Sequence, residues 1–235
     1  MLIAANFKTF KTRQETLDYY RDIRTFIEKN EISVDSMIFP TATSLNTFKG
    51  PTVVGAQNAY PVVNGAFTGE IGLNQLKEFG VKTILIGHSE RRHVLGESQE
   101  LMVQKFNFFK EQGFRIVYCI GEPLEVREEG NETLMAYLDE QLEGIDLSYD
   151  NLVIAYEPVW AIGTGLTPSA DEVELIHTAL RQKIKAPILY GGSVKVNNAK
   201  ELLSLSNVDG ALIGSGALQA ENYCTILEIA QGLDK

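Results

Sequence analysis

Apolar residues are arranged along this chain in two alternating ways. Short unbroken runs rich in β-branched residues occur at 2–5, 36–39, 53–56, 83–87, 115–120, 152–156, 187–190 and 209–213. Between them, the stretches 15–28, 99–111, 133–142, 171–183, 198–205 and 217–229 carry apolar residues at helical spacing. The first pattern predicts buried strands and the second predicts amphipathic helices. Helix-start chemistry agrees with these positions. Thr12 stands three residues before Glu15, Ser98 precedes Gln99 and Glu100, and Pro168, Ser169 and Asp171 open the helix over 171–183.

Strand and helix alternate throughout, which implies parallel pairing through right-handed crossovers. The strand runs are apolar at consecutive positions rather than at every second one, so both faces of the sheet must be covered. Eight such units in 235 residues predict an α/β fold, a (β/α)8 barrel, as a single domain over 1–235. A doubly wound open sheet is the alternative, but no G-x-G-x-x-G follows the first strand. One stretch, 58–69, is long and irregular and contains Pro61, Asn64, Gly65 and Gly69. Long structureless loops in compact domains are usually functional or disordered, and Phe67 within this one favours contact with a partner.

Composition narrows the function. With 44% apolar and 22% charged residues, the chain reads as an ordinary soluble globular protein. A formal net charge of -10 argues against nucleic acid, because binding a phosphate backbone needs clustered Lys and Arg. A small anion remains compatible, since screening over about 8 Å leaves the local groups of a pocket to decide what it binds. No run approaches a membrane span, and the first apolar run is too short for a signal-peptide core. Cys119 and Cys224 are too few for a disulfide framework and have no metal-like spacing. They predict a reducing cytoplasm and no metal site.

In a parallel barrel, reactive groups gather where strands end and loops lead into helices. Here those ends carry Asn6 and Lys8, then Gly87-His88-Ser89-Glu90-Arg91-Arg92, then Tyr156-Glu157-Pro158. The seventh and eighth strands end in Tyr190-Gly191-Gly192-Ser193-Val194 and Gly214-Ser215-Gly216. Taken singly, each residue has a structural reading: Lys8 as a surface cation, His88 as a packing residue, Glu157 as the partner of a nearby arginine. Their joint placement on one barrel face favours a site for an anionic substrate with a carbonyl. The two glycine-rich turns favour phosphate held by backbone N–H groups. The apolar, glycine-ended segment 158–165 reads as a lid that excludes water.

These motifs resemble the triosephosphate isomerase family over nearly the whole chain. The most specific are 156–165, Tyr-Glu-Pro-Val-Trp-Ala-Ile-Gly-Thr-Gly, and 87–92, Gly-His-Ser-Glu-Arg-Arg. Ala56-Gln57-Asn58, Gly65-Ala66-Phe67-Thr68-Gly69-Glu70 and Cys119-Ile120-Gly121-Glu122 support them, in the family's order. The resemblance implies interconversion of dihydroxyacetone phosphate and D-glyceraldehyde 3-phosphate, in glycolysis and gluconeogenesis, without cofactor or metal. It implies Glu157 as the proton-shuttling base, His88 as the electrophile, and Lys8 and Asn6 as stabilisers of the enediolate, with Glu90 in support. This family is the reference case of a neutral histidine electrophile, and the resemblance carries that role to His88. Positive helix-end dipoles rationalise the neutrality, because they disfavour adding a proton.

By the same resemblance, Gly163, Ser193, Gly214 and Ser215 bind phosphate, and the loop around Phe67 and Thr68 enters a second subunit of a homodimer. The chain departs from the family's usual pattern at Phe7, at Thr9-Phe10, in a shorter exit after Gly165, and at Ser215. Two rivals are a Schiff-base aldolase, which needs a buried lysine nucleophile, and a catalytically silent phosphate-binding barrel. The strong motifs centre on Glu157 and His88, which argues against the aldolase, and intact Glu157, His88 and Lys8 argue against the silent barrel.

Overall fold

Each apolar run divides its residues between two compartments, and that division builds the barrel. The computed structural model describes residues 1–161 and 167–233. Its strands are β1 (Leu2–Asn6), β2 (Asp35–Phe39), β3 (Val53–Val54), β4 (Thr83–Ile86), β5 (Arg115–Ile120), β6 (Leu152–Tyr156), β7 (Ile188–Tyr190) and β8 (Gly210–Ile213). The helices are α1 (Arg13–Lys29), α2 (Leu73–Glu78), α3 (Gln99–Glu111), α4 (Leu124–Glu128), α5 (Asn131–Leu142), α6 (Ala170–Arg181), α7 (Val196–Ser204) and α8 (Ala220–Gln231). All ladders are parallel, in the order β3-β2-β1-β8-β7-β6-β5-β4.

The ring closes between β3 and β4 through one bridge, Ala56 with Ile84. There Ala56 N–H donates to Thr83 O and Leu85 N–H donates to Ala56 O, each at 2.9 Å. β3 is shorter than the predicted 53–56. Gly55 interrupts it, and a Cβ at that position would lie 2.3 Å from the Phe39 ring. The Phe39 ring occupies that space, so the strand narrows to a backbone contact before reaching β4.

One set of strand residues packs inside the barrel: Leu2, Ala4, Met37, Phe39, Leu85, Val117, Cys119, Val153, Ala155, Leu189 and Leu212. Their neighbours, such as Ile3, Ile38, Ile84, Tyr118 and Ile154, join the larger core beneath the helices. Successive side chains of a strand point to opposite faces, and here both faces are apolar, so the runs show no polar alternation. Each buried aliphatic side chain contributes about 1.5–3 kcal/mol.

The predicted caps form. Thr12 N–H donates to Glu15 Oε2 at 2.8 Å, and the Thr12 hydroxyl accepts from Glu15 N–H. Ser169 and Glu172 repeat this reciprocal pair at the start of α6, and Ser98 caps α3 through Leu101 N–H. Such caps contribute about 1 kcal/mol each. Helices α2 and α4 have six and five residues, too few for an apolar period to show in the sequence. Phe7, one of the family departures, lies outside the barrel, fully buried and edge-on to Tyr19 with ring centroids 4.7 Å apart.

Candidate active site

The site begins where the inward face of the barrel runs out of apolar residues. One step of two beyond Ala4 and Ala155 the inward positions are Asn6 and Glu157; beyond Leu85, Cys119, Leu189 and Leu212 they are Gly87, Gly121, Gly191 and Gly214. Two side chains therefore enter the mouth where four strands contribute only hydrogen. Two of those four glycines make room for Glu157 and its backbone. A Cβ on Gly191 would lie 2.6 Å from Glu157 Cγ, and one on Gly121 would lie 1.7 Å from Glu157 O.

Lys8 reaches the mouth through a bent backbone. Its φ is 47°, in the left-handed region that costs a side-chain-bearing residue about 1–3 kcal/mol. Two contacts hold it there. Lys8 N–H donates to Asn6 Oδ1 at 3.0 Å, and Gln57 Nε2 donates to both Lys8 O and Phe39 O, at 2.8 and 2.9 Å. The ammonium ends 2.7 Å from Glu90 Oε1.

After β4, Gly87 turns at φ 79°; a Cβ there would lie 2.6 Å from Arg92 Nη2. Arg92 folds back beneath the turn, donating to Gly87 O, Tyr118 OH and Cys119 O. It braces this corner and makes no contact with Glu157. Residues 90–94 wind as one wide turn, with Leu95 N–H donating to Glu90 O, a widened geometry frequent at functional sites. Glu90 N–H donates to His88 Nδ1 at 3.2 Å. A nitrogen that accepts carries no proton, so in the neutral ring the hydrogen is on Nε2. That Nε2 faces Glu157 Oε1 at 3.3 Å. The other carboxylate oxygen, Glu157 Oε2, accepts Ser89 N–H at 3.0 Å. Glu157 is 2% exposed. Below it, burial first and the neighbouring Glu157 second raise the pKa of Cys119 well above the usual range, so this thiol stays protonated.

The opposite wall is backbone. Ser193 Oγ donates to Ala161 O, and Asn198 clamps the turn from α7, donating to Ser193 O at 2.9 Å and accepting Lys195 N–H at 2.7 Å. Gly216 passes so close to Val194 O that a Cβ would lie 2.0 Å from it. Asn6, Lys8, His88, Glu90, Glu157, Ser193, Gly214 and Ser215 all line one cavity of about 300 Å³. The structure thus brings these eight residues together at one cavity. Residues 162–165 of the predicted lid 158–165, Gly163 among them, lie outside the described residues. Thr68 and Phe67 do not line this cavity. Thr68 is exposed, and Phe67 packs on Tyr60 with centroids 4.5 Å apart. Gly69 and Glu70, beside them, wall an adjoining groove of about 480 Å³ that shares Asn6, Lys8, Phe10, His88 and Glu90 with the site.

Comparison with known proteins agrees with this geometry. The family model described as triosephosphate isomerase matches residues 1–230. A triosephosphate isomerase of Sulfurimonas denitrificans is 56% identical over 235 residues, covering all of this chain and 98% of the relative. One from a Sulfurovum species is 50% identical, covering 97% and 99%, and one from Helicobacter pylori is 47% identical, covering 95% and 96%. The chain belongs to the triosephosphate isomerase family.

Four residues near the candidate site received no role from the sequence. Gln57 and Glu122 stand in motifs that carried the resemblance, yet nothing local shows what they hold. Glu122 is fully buried; its Oε1 accepts Tyr156 OH at 3.1 Å and Trp160 Nε1 at 2.9 Å, and its Oε2 has no partner among the described residues. Burial raises its pKa above the ordinary carboxylate value. Asn198 was hidden because its hydrogen bonds to the turn are made only when α7 forms, whereas Lys195 directly follows the 190–194 motif and by itself reads as a surface cation.

Proposed function

We propose that this chain interconverts dihydroxyacetone phosphate and D-glyceraldehyde 3-phosphate by proton transfer through an enediolate, in glycolysis and gluconeogenesis. The observation that carries the reading is a buried carboxylate 3.3 Å from an imidazole Nε2, in a polar cavity at the C-terminal mouth of the barrel. In this scheme Glu157 removes a proton from one carbon and returns it to the next. His88, presenting Nε2–H, polarises the carbonyl, and Lys8 with Asn6 stabilises the developing oxyanion. Glu90 holds Lys8 by its side chain and the histidine tautomer by its backbone N–H. The N–H groups of Ser193, Gly214 and Ser215, with Gly163 from the loop, take the phosphate. No electrons are transferred, so the scheme needs no cofactor.

The substrate-free arrangement gives the first step a physical form. Glu157 rests on Ser89 N–H and faces His88, so a substrate entering between acid and base must take over both contacts. Mixing the protein with D-glyceraldehyde 3-phosphate and following dihydroxyacetone phosphate through a coupled NADH-dependent dehydrogenase tests this. Rapid turnover lost by about 10²–10⁴-fold in Glu157→Gln is the expected result. A wild-type protein that binds inorganic phosphate without turnover is instead a silent barrel.

We further read the chain as a cytoplasmic homodimer. Phe10 and Leu95, which line the adjoining groove, are each 62% exposed, Val94 beside Leu95 in sequence is 76% exposed, and Phe67 is 42% exposed on the neighbouring loop. Apolar side chains gathered at a groove favour a protein partner, and the groove suits the partner copy's loop around Thr68. Thr68→Glu is expected to give monomers at dilute concentration by sedimentation, and an intact dimer would remove this assignment. Both cysteines are free and buried, which agrees with a reducing compartment.

A further inference from the structure

Charge in the cavity is distributed unevenly. Among the described residues its charged side chains are Lys8, Glu90, Glu157 and Lys195. Lys8 is neutralised by Glu90 at 2.7 Å, and Glu157 adds a negative charge. Without Lys195 these groups sum to -1; with it they sum to zero. A triose phosphate brings a dianion into this cavity, inside a protein of net charge -10.

Lys195 is built into the phosphate wall. It follows Val194 directly after the Gly-Gly-Ser turn, with its backbone N–H fixed on Asn198 Oδ1 at 2.7 Å. Asn198 also anchors Ser193 O, so the turn expected to hold phosphate and the lysine beside it are set by one side chain. Lys195 itself is exposed and makes no ion pair among the described residues. It is among the residues that line the cavity, so its charge stands at the rim without an ion-pair partner among the described residues.

We infer that Lys195 is a binding residue that attracts and retains the phosphate dianion, acting on substrate capture rather than on proton transfer. This rests on the triose phosphate reading above. A charge at the rim of a site changes association rate and salt dependence more than chemistry, and steering by local positive charge raises capture by roughly ten- to a thousandfold in favourable cases. One lysine is expected at the lower end of that range.

The test compares wild type, Lys195→Gln and Lys195→Arg at low and high ionic strength. At low salt Lys195→Gln should lose about tenfold in kcat/KM, through KM, with kcat nearly unchanged. The competitive inhibition constant of inorganic phosphate should rise in parallel. The difference should shrink as salt shortens the screening length, and Lys195→Arg should restore most of the loss. A Lys195→Gln enzyme that matches wild type at both salts, or loses kcat with KM and phosphate inhibition intact, overturns the assignment. If wild type itself fails to isomerise triose phosphate, the isomerase reading fails instead, and the phosphate titration alone then decides whether Lys195 serves an anion site.

Discussion

The two walls of the cavity are made differently. On the side of β1, β4 and β6, Asn6, Lys8, His88 and Glu157 are side chains, each set by a second group: Gln57 and Glu90 for the lysine, Glu90 N–H for the imidazole, Ser89 N–H for the carboxylate. On the side of β7 and β8, the lining is mostly glycine and serine turns, with Val194, Leu212 and the rim cation Lys195, and with Asn198 as the clamp. Moving a proton requires an atom held at a defined distance and orientation. Holding a phosphate requires several donors around a rounded anion, which a turn of main chain supplies. The first wall should therefore fail abruptly under small displacements, and the second should fail gradually.

Glu157→Asp should produce the largest effect. Withdrawing the carboxylate by one methylene leaves charge and phosphate wall intact but moves the base; turnover should fall by about 10²–10³-fold, while inhibition by inorganic phosphate stays within a few-fold. Comparable loss in both measurements would erase the distinction between the walls. A paired substitution sharpens it further. Gly191→Ala places a methyl 2.6 Å from Glu157 Cγ, and turnover should fall by about 10²-fold. Gly214→Ala meets only Lys8 Cε at 3.4 Å, ordinary contact that should cost a few-fold at most. Equal losses from the two alanines, measured by steady-state kinetics, would show that cavity volume rather than base placement governs the rate.

A smaller effect concerns stability and the layer behind the second wall. His177 lies fully buried between Tyr156 and Tyr190, with Nδ1 3.1 Å from Asn207 O. Burial lowers its pKa to about 4 from 6.5. The folded state therefore resists a proton that the unfolded chain accepts below pH 6.5. This contribution is fully present above that pH and is lost progressively as pH falls toward 4. Between pH 7.5 and 5 the loss is about 2 kcal/mol, measurable by urea unfolding. His93, whose pKa burial also lowers, acts in the same direction, so His177→Leu should remove only part of the slope. An unchanged slope would mean that His177 is not the group responsible.

Much of this was legible in the sequence because strand runs and strand-end motifs are local. The eight runs located the barrel, and the residues just past them located the mouth. Val53–Val54 ended early because of a ring on another strand, Phe39, which no window around Gly55 contains. Glu122 was silent for a similar reason: its partners Tyr156 and Trp160 are 34 and 38 residues away. Glu90 could be read as a supporter but not as one that serves two residues at once, since its side chain and its own N–H act in different directions. The π-wound turn over 90–94 has no local apolar pattern to mark it.

The inward face of the barrel also works as an address. Positions 2, 4 and 6 of β1 lie on one face, as do 153, 155 and 157 along and just past β6, and the proposed site residues Asn6 and Glu157 are the last members of these series. Deleting a single residue within β6 would turn Glu157 toward the helices without altering any residue of the motif around it. Changing only the final inward residue while keeping strand parity would thus alter the mouth and leave the barrel beneath it in place.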